Sequence, residues 1–285
     1  MTSIGAMLRR DLPPETLLDT ARAVAPHFDE LWIVEDLNWP GGVAQLAAVL
    51  EATADRGAPV IGHGVAPAPF RNPAALAMEW ATLARLHPGR LHAGIGHGLP
   101  RWMEQIGEKV ASPLTLLRET IESTRQILAG GPVTYQGRYV ELTDVELVFP
   151  PEVVPPVLAG VTGPKSLALS GAVADGTVLA EGFDANSVEM VRALIEEGRA
   201  EPGAPEAHRL TVYCGYFLGD ESTLPPPPTD GVPDGWAAVT DDRDQMVELL
   251  QPLCDLVDSL VLIPFGDTVD QLSEFATDIG PRLRV

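Results

Sequence analysis

Two cysteines, Cys214 and Cys254, are all that the 285 residues carry. That excludes a disulfide framework and any cysteine-based metal spacing, and it implies a reduced, cytosolic protein. Lysine is equally scarce. Lys109 and Lys165 stand alone, and neither falls on a predicted strand. Schiff-base chemistry, which needs a lysine inside the pocket, therefore has no candidate. The six histidines include no H-x-H pair, so a metal hydrolase lacks its paired ligands at one strand end, and no metal site is expected. No apolar run reaches the roughly 18 residues that a membrane span requires. The opening segment MTSIGAMLRRDLPPE has no apolar core of a secretory signal.

Positive charge is short as well. The chain holds 19 basic and 40 acidic residues, for a net charge of −21. The deficit is uneven: residues 1–142 carry 15 acids and 12 bases, residues 143–285 carry 25 and 7. A nucleic-acid partner is excluded on this balance, and solubility is the plain reading of the acidity. Low complexity is confined to PPPPTDGVPDG, Pro225 to Gly235. It reads as a stiff surface loop and not as a domain boundary. Chains of this length often form one α/β barrel, so residues 1–285 are read as a single domain with a large core.

What is present is an alternation of strands and helices. The predicted strands are Ser3–Leu8, Leu31–Asp36, Pro59–Val65, Arg90–Gly98 with its exit loop, Val157–Ala159, Thr177–Ala180, Leu210–Gly219 and Ser259–Gly266. Helices are predicted from Pro14 to about Ala25, after Gly41-Gly42 to Asp55, from Pro73 to Leu86 behind an Asn72 cap, and after Ser112-Pro113. That last one sets Leu114, Leu117, Ile121 and Leu128 on one stripe. A short amphipathic segment, Arg101 to Val110, precedes it. Further helices run Pro164–Val173, Asn186–Arg199, Asp242–Cys254 and Asp267–Arg282. VTYQGRYVEL, Val133 to Leu142, alternates like a hairpin around Gln136-Gly137 and reads as an insertion.

Near-continuous apolar strands imply a parallel sheet covered on both faces. Closure into an eight-stranded β/α (TIM) barrel, with a small β-hairpin insertion after the fourth helix, is the expected fold. An open doubly wound sheet is the alternative, but no dinucleotide fingerprint follows the first strand.

The stretch from Pro156 to Gly182 organises this reading. Gly160 and Gly163 permit a tight turn and close approach to a ligand. Pro164 sits at a first helical position, where its missing N–H costs nothing. The free N–H groups of that helix start form an anion site suited to a phosphate. In a barrel, chemistry collects where strands end. Those ends are Arg9 and Arg10, Glu35 and Asp36, His63 and Gly64, His97, Thr162, Glu181, Asp220, and Phe265 with Gly266. A phosphate-bearing cofactor that brings its own reactivity fits this set best.

The pieces GHGVAPAPFRNPAALAMEWATLARLHPGRLHAGIGHG (Gly62 to Gly98), AGVTGPKSLALSGAVADGTVLAEG (Ala159 to Gly182) and SLVLIPFGDTVDQLSEFA (Ser259 to Ala276) carry a resemblance. They look like the bacterial luciferase-like superfamily, which includes flavin-dependent monooxygenases and reductases that use the deazaflavin coenzyme F-420. The resemblance covers nearly the whole chain. It implies a non-prolyl cis peptide at Gly64-Val65 pressing on the ring of the cofactor. It places Asp36 beside that ring, and Gly160, Thr162, Gly163 and Pro164 around the cofactor phosphate. Ala180 and Glu181 fall beside the ring or its ribityl chain, and His97 faces the substrate.

The chain departs from the family's alcohol-oxidising branch. Leu37 stands where several deazaflavin enzymes have histidine, Leu99 where some have glutamate, and Trp39 is offset from a tryptophan of that branch. Proton transfer therefore falls to Asp36, His63 or His97, or to the substrate itself. Reduced F-420 giving a hydride to a small organic acceptor is the expected activity. An FMN-dependent monooxygenase and a non-catalytic flavin-binding barrel are the alternatives. Arg9, Arg10, Arg71 and Arg101 are the local cations for an anionic cofactor tail. The family's pairing habit implies a homodimer, with the Met78, Trp80 and Leu83 region as its candidate face.

Overall fold

Strand β1 (Ser3–Leu8) lies between two parallel neighbours, β2 (Glu30–Ile33) on one side and β11 (Ser259–Pro264) on the other. A computed structural model describes residues 2–224 and 236–283. The stretch Pro225 to Gly235, read above as a stiff loop, lies outside the described residues.

From β2 the sheet continues through β3 (Val60–Pro67), β4 (Leu91–Gly96), β7 (Val157–Gly160) and β8 (Gly176–Leu179). β8 then pairs with β9 (Arg209–Leu218), and β9 with β11, every pairing parallel. The ring is closed and eight-stranded, as the apolar strands imply. The inserted hairpin is β5 (Val133–Gln136) and β6 (Glu141–Val145), antiparallel with Gln136 opposite Glu141.

The helices are α1 (Pro14–Val24), α2 (Gly42–Ala52), α3 (Pro73–Leu86), α4 (Pro100–Ile106), α5 (Pro113–Ala129), α6 (Pro164–Val173), α7 (Ala185–Arg199), α8 (Arg243–Cys254), α9 (Thr268–Asp278) and α10 (Gly280–Leu283). Side-chain caps fix several starts. Asn72 accepts from the Ala74 N–H, Asp184 from Ser187, Asp242 from Asp244 and Gln245, and Asp267 from Val269 and Asp270. On α5, Leu117, Ile121 and Leu128 are fully buried, and Leu114 is partly so. The α5 residue Glu119 reaches the inserted hairpin, where its carboxylate accepts from the N–H groups of Arg138, Tyr139 and Val140 at 2.7, 2.7 and 2.9 Å.

Strand alternation divides the core in two. Inward-facing Met7, Trp32, Leu158, Val178, Tyr213 and Val261 fill the barrel, while Ile4, Leu31, Ile33 and Ile61 pack against the helices. The foot of the barrel is sealed by a buried polar cluster from three strand starts. Glu30 pairs with Arg209 and accepts from Trp32 Nε1 and Ser259 Oγ, both at 2.8 Å.

Three details differ from the sequence reading. β2 leaves the sheet after Ile33, so Val34, Glu35 and Asp36 belong to its exit loop. A three-residue strand, β10 (Ala238–Thr240), pairs with the upper half of β9. β9 is ten residues long, and its upper end outruns the ring, which leaves room for an extra partner. The final helix is two, because the chain breaks at Ile279 before Gly280-Pro281.

Candidate active site

The strands end around a cavity of about 460 Å³ on their C-terminal side. Its lower wall is apolar. Met7, Val34, Val178, Tyr213 and Ile263 surround Val65 there. The Gly64–Val65 peptide is cis, and the β3–β4 register shifts between His63 and Ala66 at the same place. Val65 stands close against the glycines of the neighbouring strands. A Cβ on Gly160 would lie 2.7 and 2.9 Å from the two Val65 methyls, and one on Gly96 would lie 2.5 Å away. Those strands must carry glycine to leave Val65 its place in the floor.

One side of the mouth is the β7–α6 turn. Gly160, Thr162 and Gly163 line the cavity. Pro164 opens α6 behind them and is not part of the wall. Among the described residues no side chain caps this helix. The Ser166 and Leu167 N–H groups both bond to Gly163 O, which occupies two of the donors that the turn was expected to offer. Beside it, His97 Nε2 meets Ser166 Oγ at 2.9 Å. Burial pulls the His97 imidazole below its ordinary range, so the ring is neutral at neutral pH.

Across the mouth, Arg10 pairs with Asp36 and lies 5.1 Å from the centre of the Trp39 ring. Glu181, following β8, lines the same wall with Ala180. Burial raises the Glu181 carboxyl, Asp36 adds to that, and Arg10 counters it. Arg9 lines the wall and donates to Pro264 O at 3.1 Å and Gly266 O at 3.4 Å, tying the first exit loop to the last.

Two predicted site residues land elsewhere. His63 is fully buried and does not line the cavity. It alternates outward with Ile61, meets Trp80 edge-on at 5.9 Å, and lies 3.4 Å from Glu35. Its catalytic assignment is therefore corrected: the side chain is in the helix layer, separated from the cavity by its own strand. A Cβ on Gly42 would lie 2.4 Å from His63 Nε2, so α2 can cover the imidazole only with glycine there. Asp220, another expected strand-end group, caps its own turn through Ser222. Arg71 is engaged by Glu35 and Arg101 lies over Trp102, so neither reaches the wall. Trp80 and Leu83 belong to the core, and of the expected dimer face only Met78 is exposed.

Sequence reasoning missed Tyr213 and Ser166. Tyr213 lies on β9, read only as an apolar strand; its alternation could have placed it inside. Ser166 carries no sequence signal of its own. Among the described residues, no group of His, Cys, Asp and Glu could hold a metal ion.

A closed parallel barrel with one ligand-sized, mostly apolar cavity at its strand C-termini is the architecture of a barrel enzyme. The model of the luciferase-like monooxygenase family matches residues 1–223. The chain belongs to that family. It is 30% identical to the 5,10-methylenetetrahydromethanopterin reductase of Archaeoglobus fulgidus, over 62% of this chain and 52% of that one. The chain thus spans about half the length of that relative. It is 27% identical to the F-420-dependent glucose-6-phosphate dehydrogenase of Amycolatopsis mediterranei, over 95% of both chains. In fold it is similar to an F-420-dependent secondary alcohol dehydrogenase (TM-score 0.84, 20% identity, all of both chains). It also resembles an FMN complex of a type II Baeyer–Villiger monooxygenase from Pseudomonas putida (TM-score 0.74, 15% identity, 99% of this chain and 98% of that).

Proposed function

We propose that the protein is an oxidoreductase in which reduced coenzyme F-420 gives a hydride to a small organic acceptor. The observation that carries this is the pairing of an apolar floor at Val65 with an uncapped helix start at the same mouth. A flat ring system with an anionic tail has that outline. The residues present fit it: glycines keep the floor clear around Val65, and Thr162 and Gly163 would border the place for a phosphate, with Pro164 behind them. The choice of F-420 over FMN is supported by the Amycolatopsis relative, whose alignment spans 95% of both chains.

When bound, the deazaflavin would supply the hydride. The chain's own residues orient and shelter the reaction. Val65, Gly64 and Gly160 would support the ring, and Ala180 and Glu181 would flank it. Asp36, held by Arg10, and His97, held by Ser166, reach the space above it. Trp39 and Trp102 in the wall favour an apolar or aromatic acceptor. The fluorescence of F-420 and of FMN, titrated separately with the protein, tests the assignment. Quenching of F-420 at micromolar protein is expected. Tight FMN binding without F-420 binding would favour the monooxygenase reading, and binding of neither would favour a barrel without catalysis.

A homodimer is part of the same reading. Met78 and Leu86 of α3, with nearby Phe149, are exposed apolar side chains, and Arg85 lies 5.6 Å from the Phe149 ring centre. Light scattering at micromolar concentration would reject the pairing if it found a strict monomer. A reducing, cytoplasmic setting is supported by Cys214 and Cys254, both free and buried.

A further inference from the structure

Reduction of a polarised double bond needs a proton as well as a hydride. Among the described residues, six carboxyl, imidazole or phenol groups line the cavity, and two of them, Asp11 and Glu35, are already ion-paired with Arg9 and Arg71. Asp36 is already ion-paired with Arg10. His97 is held neutral by burial and engaged by Ser166. Tyr213 is buried, and burial keeps its phenol far above its ordinary range, with Glu181 and Glu30 adding to the effect. Glu181 is the remaining one. Among the described residues, no side chain donates a hydrogen bond to its carboxyl, and it lines the cavity beside the proposed ring position.

We propose that Glu181 is the general acid of this site, delivering the proton to the acceptor atom opposite the carbon that takes the hydride. This assignment rests on the F-420 reading above. Of the carboxyls lining the cavity, Asp11 and Asp36 each pair with an arginine of the same wall, Arg9 and Arg10. The guanidinium of Arg10 engages Asp36, whereas no described side chain donates to Glu181; burial raises its carboxyl, and its own backbone N–H and the Arg10 charge counter that. Asp36, Arg10 and Tyr213 are the charged and titratable groups that act on Glu181.

The step balances. Bound reduced F-420 would supply a hydride, one proton with two electrons, to the acceptor carbon. The π pair moves to the neighbouring atom and takes the proton from the Glu181 carboxyl. The O–H bond of Glu181 breaks, its new carboxylate is stabilised by Arg10, and water at the mouth restores the proton.

The test begins without cofactor. Infrared difference spectra across a pH titration would compare the wild type with Glu181→Gln. Loss of a protonated-carboxyl band in the variant, at a pH above the ordinary glutamate range, is expected. Glu181 already ionised at about pH 5 would overturn the assignment. A loss of F-420 affinity in Glu181→Gln that accounts for the whole loss of rate would mark a group that only holds cofactor and would overturn the assignment. With cyclohex-2-enone as probe acceptor, reoxidation of reduced F-420 should slow by about 10²–10⁴-fold in Glu181→Gln, with partial recovery in Glu181→Asp. An unchanged rate would overturn the assignment. If the enone is not reduced by the wild type, the infrared titration decides alone. Failure of the wild type to bind F-420 defeats the functional reading and this assignment with it; binding of F-420 with an ionised Glu181 defeats this assignment only.

Discussion

Arg71 grips Glu35 with both prongs of its guanidinium, each N–O distance being 2.7 Å. The same carboxylate accepts from the Gly42 N–H at 3.2 Å. Three separate segments are thus tied behind the cavity: the β2 exit loop that carries Asp36, the start of α2, and the approach to α3. Arg71→Met would leave a buried carboxylate without its cation. A loss of about 3 kcal/mol in urea unfolding is expected, with a smaller loss for Arg71→Lys, which keeps charge but not the fork.

Acid should weaken the fold in two stages. Burial raises the Glu35 carboxyl, but Arg71 and His63 outweigh that and bring it from 4.5 to about 2. Its stabilisation, about 3 kcal/mol, is present above pH 4.5 and fades as pH falls towards 2. His87, His92, His97 and His208 are each depressed by burial. Their unfolded forms bind protons near 6.5 and their folded forms bind them later. Stability is therefore full above about 6.5 and declines below it. Denaturant midpoints measured from pH 8 to 4 should fall first through the histidine range and again below it. A flat profile down to pH 5 would contradict the histidine part.

Gly160→Ala sets a methyl against Val65 on three sides, at 2.7, 2.9 and 3.3 Å. Overpacking of this kind costs about 1–3 kcal/mol. Val65→Ala should recover most of it in the double variant, giving a coupling energy of about 1 kcal/mol or more. Thermal unfolding of the four proteins of the cycle measures this directly. Additive effects would show that Val65 is not what the glycine makes room for.

The hairpin hangs on Glu119. Glu119→Ala removes an acceptor from three backbone N–H groups, and a cost on the order of 3 kcal/mol follows. Hydrogen exchange at Arg138, Tyr139 and Val140 should accelerate well before that of the barrel strands, because the hairpin lies outside the ring.

Punctuation by proline and glycine explains which parts of the chain were legible. Pro164 and Val173 bound α6 as read, and Pro73 opens α3 with Asn72 as its cap. The inserted hairpin was legible from Gln136-Gly137 and its alternation. The direction of His63 was not. On Gly62-His63-Gly64 the flanking residues have no side chains, so no hydropathy contrast marks which face is inside. The space those glycines leave is filled by Trp32 of the neighbouring β2 and Tyr213 of β9. The position of Glu181 was legible at the end of its strand, but the pairing of Arg10 with Asp36, which leaves Glu181 without a side-chain donor among the described residues, was not. That pairing is made by packing between the first and second exit loops, which no local pattern records. β10 went unseen because three residues fall below the length at which alternation can be read.

The Glu30–Arg209–Ser259 cluster closes the barrel's far end. Inward-facing side chains fill the barrel above that cluster, and the described cavity lies on the strand C-terminal side. Whatever lodges deepest must arrive first and depart last, so a ring seated on Val65 would be trapped beneath the acceptor until product has gone. With a ring seated there, kinetics of the ordered kind would follow, excess acceptor slowing cofactor exchange.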